Sequence, residues 1–437
     1  MPSEFNLALT GDSILQRRLL STTDPALLPL FDRIRAADLA FTNLEVLAND
    51  YRGEPALESG GSHFGAPAWV LDDLRAAGFS LFAAATNHAL DYGTTGLMLT
   101  IEALEARGIA FAGIGRNLED ARRPAYVTHP KASVALISCT ATFARGQEAS
   151  EQRPDMPGRP GVAPLRHDTV YEVSAEQIAQ LRAIADATGL EARRQQMLAM
   201  GFHRAPKDNS IFPFGAMHFR AAANPAIRTT AQTTDVDALA RWVREAASLA
   251  DLVVVSLHAH EQGETKELPA EFIPPFARRM IDEGASLVVG HGPHLLRGME
   301  LYRGRPIFYS LGNFIGQNEL VPRLPSDSYE RFGADRDMTP GQVYRLRTDN
   351  DRRGFPADRR YWETLVPMLT WRDGALAAIE LIPVGLGLGE RAHQRGRPLL
   401  ATGEEAVRIL DRFAALSQPF GTIVERHGET GRVVLAS

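Results

Sequence analysis

The hydrophobic pattern is a repeating one: a short apolar run, a polar stop, then helical periodicity. Phe5-Asn-Leu-Ala-Leu-Thr10 leads into Gly11-Asp12, Leu39-Ala-Phe-Thr42 into Asn43-Leu44-Glu45, and Phe79-Ser-Leu-Phe-Ala-Ala-Ala85 into Thr86-Asn87-His88. Later runs are Val134 to Ser138, Leu252 to Leu257 before His258, and Leu287-Val-Val-Gly290 before His291. Runs of this length bounded by polar residues predict buried strands. The segment Pro67 to Gly78, with proline at its start and glycine at its stop, predicts a helix, as do Gly96 to Arg107, Asp235 to Leu249 and Ala270 to Glu283. Strand–helix alternation of this kind predicts an α/β fold with sheets covered by helices. In such folds ligands gather at the carboxyl ends of strands, where the polar stops sit.

Two stretches depart from the rhythm. Residues 145–234 carry Pro/Gly-rich segments around a helical piece from Ser174 to Met200, and residues 317–361 are rich in Arg, Asp, Pro and Gly. Both read as insertions over the core, either walls of a pocket or plain surface loops. The C-terminal part, 365–437, reads as two strands turning at Arg372-Asp-Gly374 and an amphipathic helix from Glu404 to Leu416.

Composition narrows the classes without naming a function. With 44% hydrophobic and 23% charged residues the chain is globular rather than disordered. A net charge of −6 with scattered Lys and Arg argues against a nucleic-acid partner. The one cysteine, Cys139, rules out an intrachain disulfide and a thiolate zinc site, and its apolar surroundings predict a buried strand thiol. The N-terminal residues lack a basic start followed by a long apolar stretch, and no segment has membrane length. The expectation is therefore a cytoplasmic protein without a membrane partner.

The strand ends supply Asp12, Glu45, Asn87, His258, His291 and His294. Oxygen and nitrogen donors without thiolate suit divalent ions, with Mn, Zn, Fe, Mg and Ca all open. Taken singly, Asp12 fits a turn and Glu45 or Asn87 a helix cap. His291 and His294, on the Gly290-His-Gly-Pro-His294 loop directly after an apolar strand, have no packing reason to be there and carry the metal expectation. Of the arginines, Arg297, Arg305 and those between Arg345 and Arg360 offer partners for an anion, although a solvated loop accounts for most of them.

These residues together resemble the CapA-type proteins of bacterial capsule and poly-γ-glutamate synthesis, within the calcineurin-like metallophosphatase superfamily. The resemblance is carried by Thr10-Gly-Asp12, Ala37 to Glu45, Thr86-Asn-His-Ala-Leu-Asp-Tyr-Gly93, Phe111 to Asn117, Val253 to His258, Gly290 to His294 and Arg305 to Phe314, in order over residues 5 to 315. It implies a single domain over 1–437 with a four-layer α-β-β-α fold and two divalent metal ions at one edge. Asp12 and His294 would hold one ion, Asn87, His258 and His291 the other, and Glu45 would bridge. His88 would act on the leaving group, with Asp91 orienting it through a carboxylate–imidazole hydrogen bond. Asn313 would lie near the site; outside the resemblance, His260 reads as a substrate- or metal-contacting group of this branch and Arg297 as a partner for an anionic substrate.

The chain also departs from the superfamily. Asp12 is followed by Ser13-Ile14, so the common Asp-x-His motif is absent, and His258 precedes Ala259-His260-Glu261 where the family commonly has Trp-Gly. The expected function is hydrolysis of an amide in a peptide-like, γ-glutamyl-type substrate by metal-activated hydroxide. Phosphoester hydrolysis, peptide epimerisation and a non-catalytic role in capsule assembly are the alternatives.

Overall fold

A computed structural model describes residues 4–59 and 61–435. It is a mixed α/β structure with two large sheets. In the ten-stranded sheet, Phe5–Ile14 is the hub, parallel to Leu39–Leu44, which is followed by Leu81–Ala83 and Ala110–Ala112. On its other side Phe5–Ile14 pairs in parallel with Asn313–Gly316 and antiparallel with Glu363–Arg372, which forms a hairpin with Ala375–Gly385. In the six-stranded sheet Leu252–His258 lies between Ala132–Thr140 and Leu287–His291, parallel to both.

The strands read as unbroken apolar runs because both faces are covered. One core cluster draws residues from both large sheets, among them Leu7, Leu9 and Phe41 from the first and Val134, Val254 and Val289 from the second. A second cluster packs Phe31, Leu71, Leu74 and Ile101 from helices against the ten-stranded sheet, and a third packs Leu239, Val243, Phe276 and Met280 against the six-stranded one. The predicted helices are present as Trp69–Ala76, Gly93–Ala106, Thr233–Leu249 and Ile273–Asp282. In Thr233–Leu249 the buried Asp235, Leu239, Val243 and Ala246 recur at helical spacing, leaving the opposite face to solvent. Cys139 is fully buried in its strand.

Both irregular stretches hold more regular structure than the pattern predicts. Within 145–234, His167–Val173 pairs with Met217–Ala221 and Ala226–Ala231, and Ile211–Phe214 completes a four-stranded sheet. The helical piece is split into Ala175–Ala187 and Leu190–Ala199 at Gly189, whose φ of 76° ends the first helix. This part is tied to the core by Asp235, which accepts from Arg122 at 2.5 Å and from Arg166 at 2.8 Å. Within 317–361 lie the short helices Ser326–Phe332 and Pro340–Arg347; the second is started by a Thr339–Gln342 capping box with proline at its first position. No helix among the described residues is long and apolar enough to cross a membrane.

Candidate metal centre

Strand register brings the polar stops together. In the six-stranded sheet His258 is directly opposite His291, and in the ten-stranded sheet Asp12 is opposite both Asn43 and Asn313. Two backbone features make the approach possible. A Cβ on Gly11 would fall 1.9 Å from the Gly312 carbonyl oxygen, so the Thr10-Gly-Asp12 stretch of the strand, where its register shifts, admits only glycine at its centre. His294 has φ of 61°, a left-handed conformation uncommon outside glycine, in the loop that follows Gly292.

The side chains converge in a largely buried cluster that opens at His294 and His260. Asp12 Oδ1 accepts from Asn43 Nδ2 at 2.8 Å and is 3.4 Å from His291 Nδ1; Asp12 Oδ2 is 3.4 Å from His294 Nδ1. Glu45 Oε1 is 3.6 Å from His258 Nε2, and Glu45 Oε2 is 3.7 Å from His294 Nδ1. His258 Nε2 lies 2.8 Å from Asn87 Oδ1 and 3.2 Å from His260 Nε2. Two sets of donor atoms lie within 4.8 Å of one another and are able to hold a metal ion: Asp12, Glu45 and His294, and Glu45, His258 and His260. Glu45 belongs to both.

The donors fit a cation better than they fit each other. Both oxygens of Glu45 and both ring nitrogens of His291 are buried without a hydrogen-bond partner. An unpartnered buried polar group costs about 1–3 kcal/mol, and a charged one more. Burial raises the Glu45 carboxyl well above its ordinary range, and the nearby charges of Asp12 and Asp91 add to this. Burial would also raise Asp12, but the His291 and His294 rings, each 3.4 Å from one of its oxygens, win and hold it well below. Burial lowers His258 to about 3, against the attraction of Asp12, which favours the neutral ring that a metal ion requires. A positive ion in reach of these donors would offset the burial of the carboxylates and give the unpartnered atoms something to bind.

His88 stands beside the cluster. Its Nδ1 is 2.7 Å from Asp91 Oδ2, which also accepts from the Phe64 backbone N–H at 2.7 Å. With Nδ1 committed to the carboxylate, Nε2 is the ring nitrogen left for chemistry. His88 and His294 line a cleft of about 540 Å³.

Of the three residues expected at the substrate, Arg297 is turned away from the cleft, while Asn313 and His260 lie beside the donor cluster. Arg297 is wholly buried, and its guanidinium donates to the carbonyls of Lys266 and Glu261 at 2.9 Å each and to that of Ala259 at 3.4 Å. It pins the loop after His258 rather than meeting a ligand, because its donors are spent on backbone. Asn313 is buried, with Oδ1 2.9 Å from His294 Nδ1, the same nitrogen that faces Asp12 and Glu45. His260 joins the donor set of Glu45 and His258. Asn43, which holds Asp12 and lies 3.3 Å from His258 Nδ1, was not among the expected residues. Its signal was present: it precedes Glu45 by two positions, which on an extended strand places both on one face.

With this geometry in hand, the chain can be placed in a class. The family model for bacterial capsule synthesis protein PGA_cap matches residues 6–318, and the chain belongs to that family. An uncharacterized protein of Sinorhizobium fredii, y4sH, is 32% identical over 99% of this chain and 93% of its own length. The capsule biosynthesis protein CapA of Bacillus anthracis is 25% identical over 58% of this chain and 44% of its own, and a probable polyglutamine synthesis accessory protein of Mycobacterium tuberculosis is 26% identical over 55% and 46%.

Proposed function

We propose that the chain is a metal-dependent hydrolase with two divalent ions in a single four-layer α-β-β-α domain, cleaving an amide in a peptide-like, γ-glutamyl-type substrate. The carrying observation is Glu45, shared by two donor sets and partnerless at both oxygens, beside an oriented His88–Asp91 pair at a cleft. His291 extends one set, and Asn87, 2.8 Å from His258, extends the other. Divalent ions held there would polarise a carbonyl and make water more acidic.

The protein's own residues account for the rest. His88, its Nδ1–H hydrogen-bonded to Asp91, would act as imidazolium and deliver its Nε2 proton to the leaving nitrogen as the C–N bond breaks, the carbonyl carbon having taken up the oxygen of a water whose proton restores the ring. Asp91 keeps the ring in one tautomer and orientation. Arg297 and Asn313 hold the His258 loop and the His294 ring in place. The peptide-like substrate follows from the names of the relatives, which refer to capsule and polyglutamine synthesis. The name of the Mycobacterium relative includes the word accessory, which favours binding without turnover as the second reading.

The test compares manganese-loaded and chelated protein on a γ-glutamyl anilide, a generic phosphodiester and a peptide in deuterated water. Amine release that falls about 10²–10⁴-fold in His88→Ala, with metal content unchanged, is the expected outcome. Phosphodiester turnover alone makes the protein a phosphoesterase, and α-deuteration without hydrolysis makes it an epimerase. Inactivity on all three substrates despite bound metal leaves the accessory role.

A further inference from the structure

The cleft above the metal centre has a floor and a wall of different origin. His88 and His294 belong to the family-matched part of the chain, whereas the outer wall is built by residues 318–362, which start where that match ends. The inner lining is aromatic. The Phe64 ring lies 4.3 Å from that of His88, and Phe355 lies 5.4 Å from His294 and 4.3 Å from Tyr361. Trp362 Nε1 donates to the Phe355 carbonyl at 2.7 Å, fixing the turn that carries this ring.

The charges on the wall do not balance. Its acidic members are already neutralised, Glu319 by Arg395 and Asp358 by Arg360 at 2.6 Å. Its cations are not: Lys266, Arg347 and Arg353 have no carboxylate partner among the described residues. Lys266 Nζ donates to the Tyr361 hydroxyl at 2.7 Å, and Arg353 Nε donates to the Arg347 carbonyl at 3.0 Å. The Arg347 guanidinium rests 5.1 Å from the Phe332 ring and 5.9 Å from the Tyr344 ring. Three uncompensated cations around one cleft repel each other and focus a positive field into it. Guanidinium groups match the paired oxygens of a carboxylate or phosphate.

The wall is also fixed before any ligand arrives. Tyr344 hydroxyl bonds Ser62, and Arg395 grips both Glu319 and, at 2.8 Å, Asp351. A cleft whose ordering cost is met during folding loses less on binding.

We propose that the 318–362 wall selects substrates bearing an oxyanion and an adjoining apolar group. The apolar group lies between Phe64 and Phe355, and the oxyanion on Arg347 and Arg353, away from the bond that faces the histidines. This refines the cleft of the amide-hydrolase reading but is tested by binding, so loss of either leaves the other standing.

Calorimetric titration of the full chain, metal-free and manganese-loaded, with N-benzoylglycine, its neutral amide and phenyl phosphate provides the test. The acid is expected to bind about ten-fold more tightly than the amide with or without manganese. In the Arg347→Gln/Arg353→Gln double variant that preference shrinks to about two-fold or less, while metal content and circular dichroism stay unchanged. Lys266→Met, a separate variant, weakens both anions about equally. Preference for N-benzoylglycine identifies a carboxylate ligand, and preference for phenyl phosphate alone identifies a phosphate. Binding of the neutral amide as tight as that of both anions overturns the proposal, as does anion preference that survives the double variant or appears only with manganese. Failure of both anions to bind below about 10 mM overturns it too.

Discussion

The metal centre and the wall above it share one cleft, yet their polar groups are placed by opposite means. At the centre Asp12, Glu45 and His258 are fully buried at strand ends, with positions set by sheet register. At the wall Arg347 and Arg353 are exposed, carried on an eight-residue helix and the turn after it, and held through side-chain pairs such as Arg395 with Glu319. The centre holds unpartnered donors, both oxygens of Glu45 and both ring nitrogens of His291. The wall is stable without a ligand and merely lacks a counter-charge. Changes at the centre should therefore alter metal binding and stability together, whereas changes at the wall should alter ligand choice alone.

The largest expected effect is at the histidine loop. His291→Ala and His294→Ala should each lower bound divalent metal, measured by elemental analysis, from about two ions per chain to about one or fewer. Metal at about a thousand times its Kd should stabilise the native protein by about 4 kcal/mol, and this gain should be largely lost in the variants. Equal metal content in all three proteins removes the centre from consideration.

Glu45 gives a smaller effect with a sign that a merely structural residue would not show. In the metal-free protein its folded pKa is raised, so the unfolded chain loses this proton first as pH rises. Its contribution is fully present below the unfolded value of 4.5 and is lost as pH climbs through the folded value, at up to about 1.4 kcal/mol per pH unit. Glu45→Gln should abolish that slope and make the chelated protein at least as stable as the native one near neutral pH. With manganese the order should reverse, because the native protein gains from the ion and the variant does not. Thermal melts across pH, with and without chelator, read both signs.

The same contrast explains what was legible in the sequence. Asp12, Glu45, Asn87, His258, His291 and His294 each close an apolar run, so the strand signal located them before any geometry was known. Arg297 was misread because an arginine near a histidine loop suggests an anion partner, and only the packed structure shows its donors spent on carbonyls. The four-stranded sheet of residues 167–231 was missed because its strands are only partly buried, as in His167–Val173, where a single position is fully buried and no clean alternation forms. The wall was legible only as a charge-rich stretch. Whether an arginine there is paired or free depends on partners far apart in sequence, as with Arg395 and Glu319, and no local pattern records it.

The smallest effect expected is at Arg395, and it separates the two regions most cleanly. This side chain is 5% exposed, bonds Glu319 and Asp351, and lies 5.4 Å from the Trp362 ring. Arg395→Met keeps much of the apolar stem but leaves two carboxylates without their shared partner, at a local cost of about 1–3 kcal/mol. Because Arg395 touches the wall and not the donor cluster, that cost should appear as faster amide hydrogen exchange between residues 318 and 358. Metal content should not change, and exchange in the strands carrying Asp12 and His258 should stay as it is. Arg395→Lys should restore protection only in part, since one ammonium cannot bond two carboxylates in the manner of a planar guanidinium. Faster exchange that spreads into those strands would instead show the wall and the centre to be one cooperative unit, and the division between them would fail.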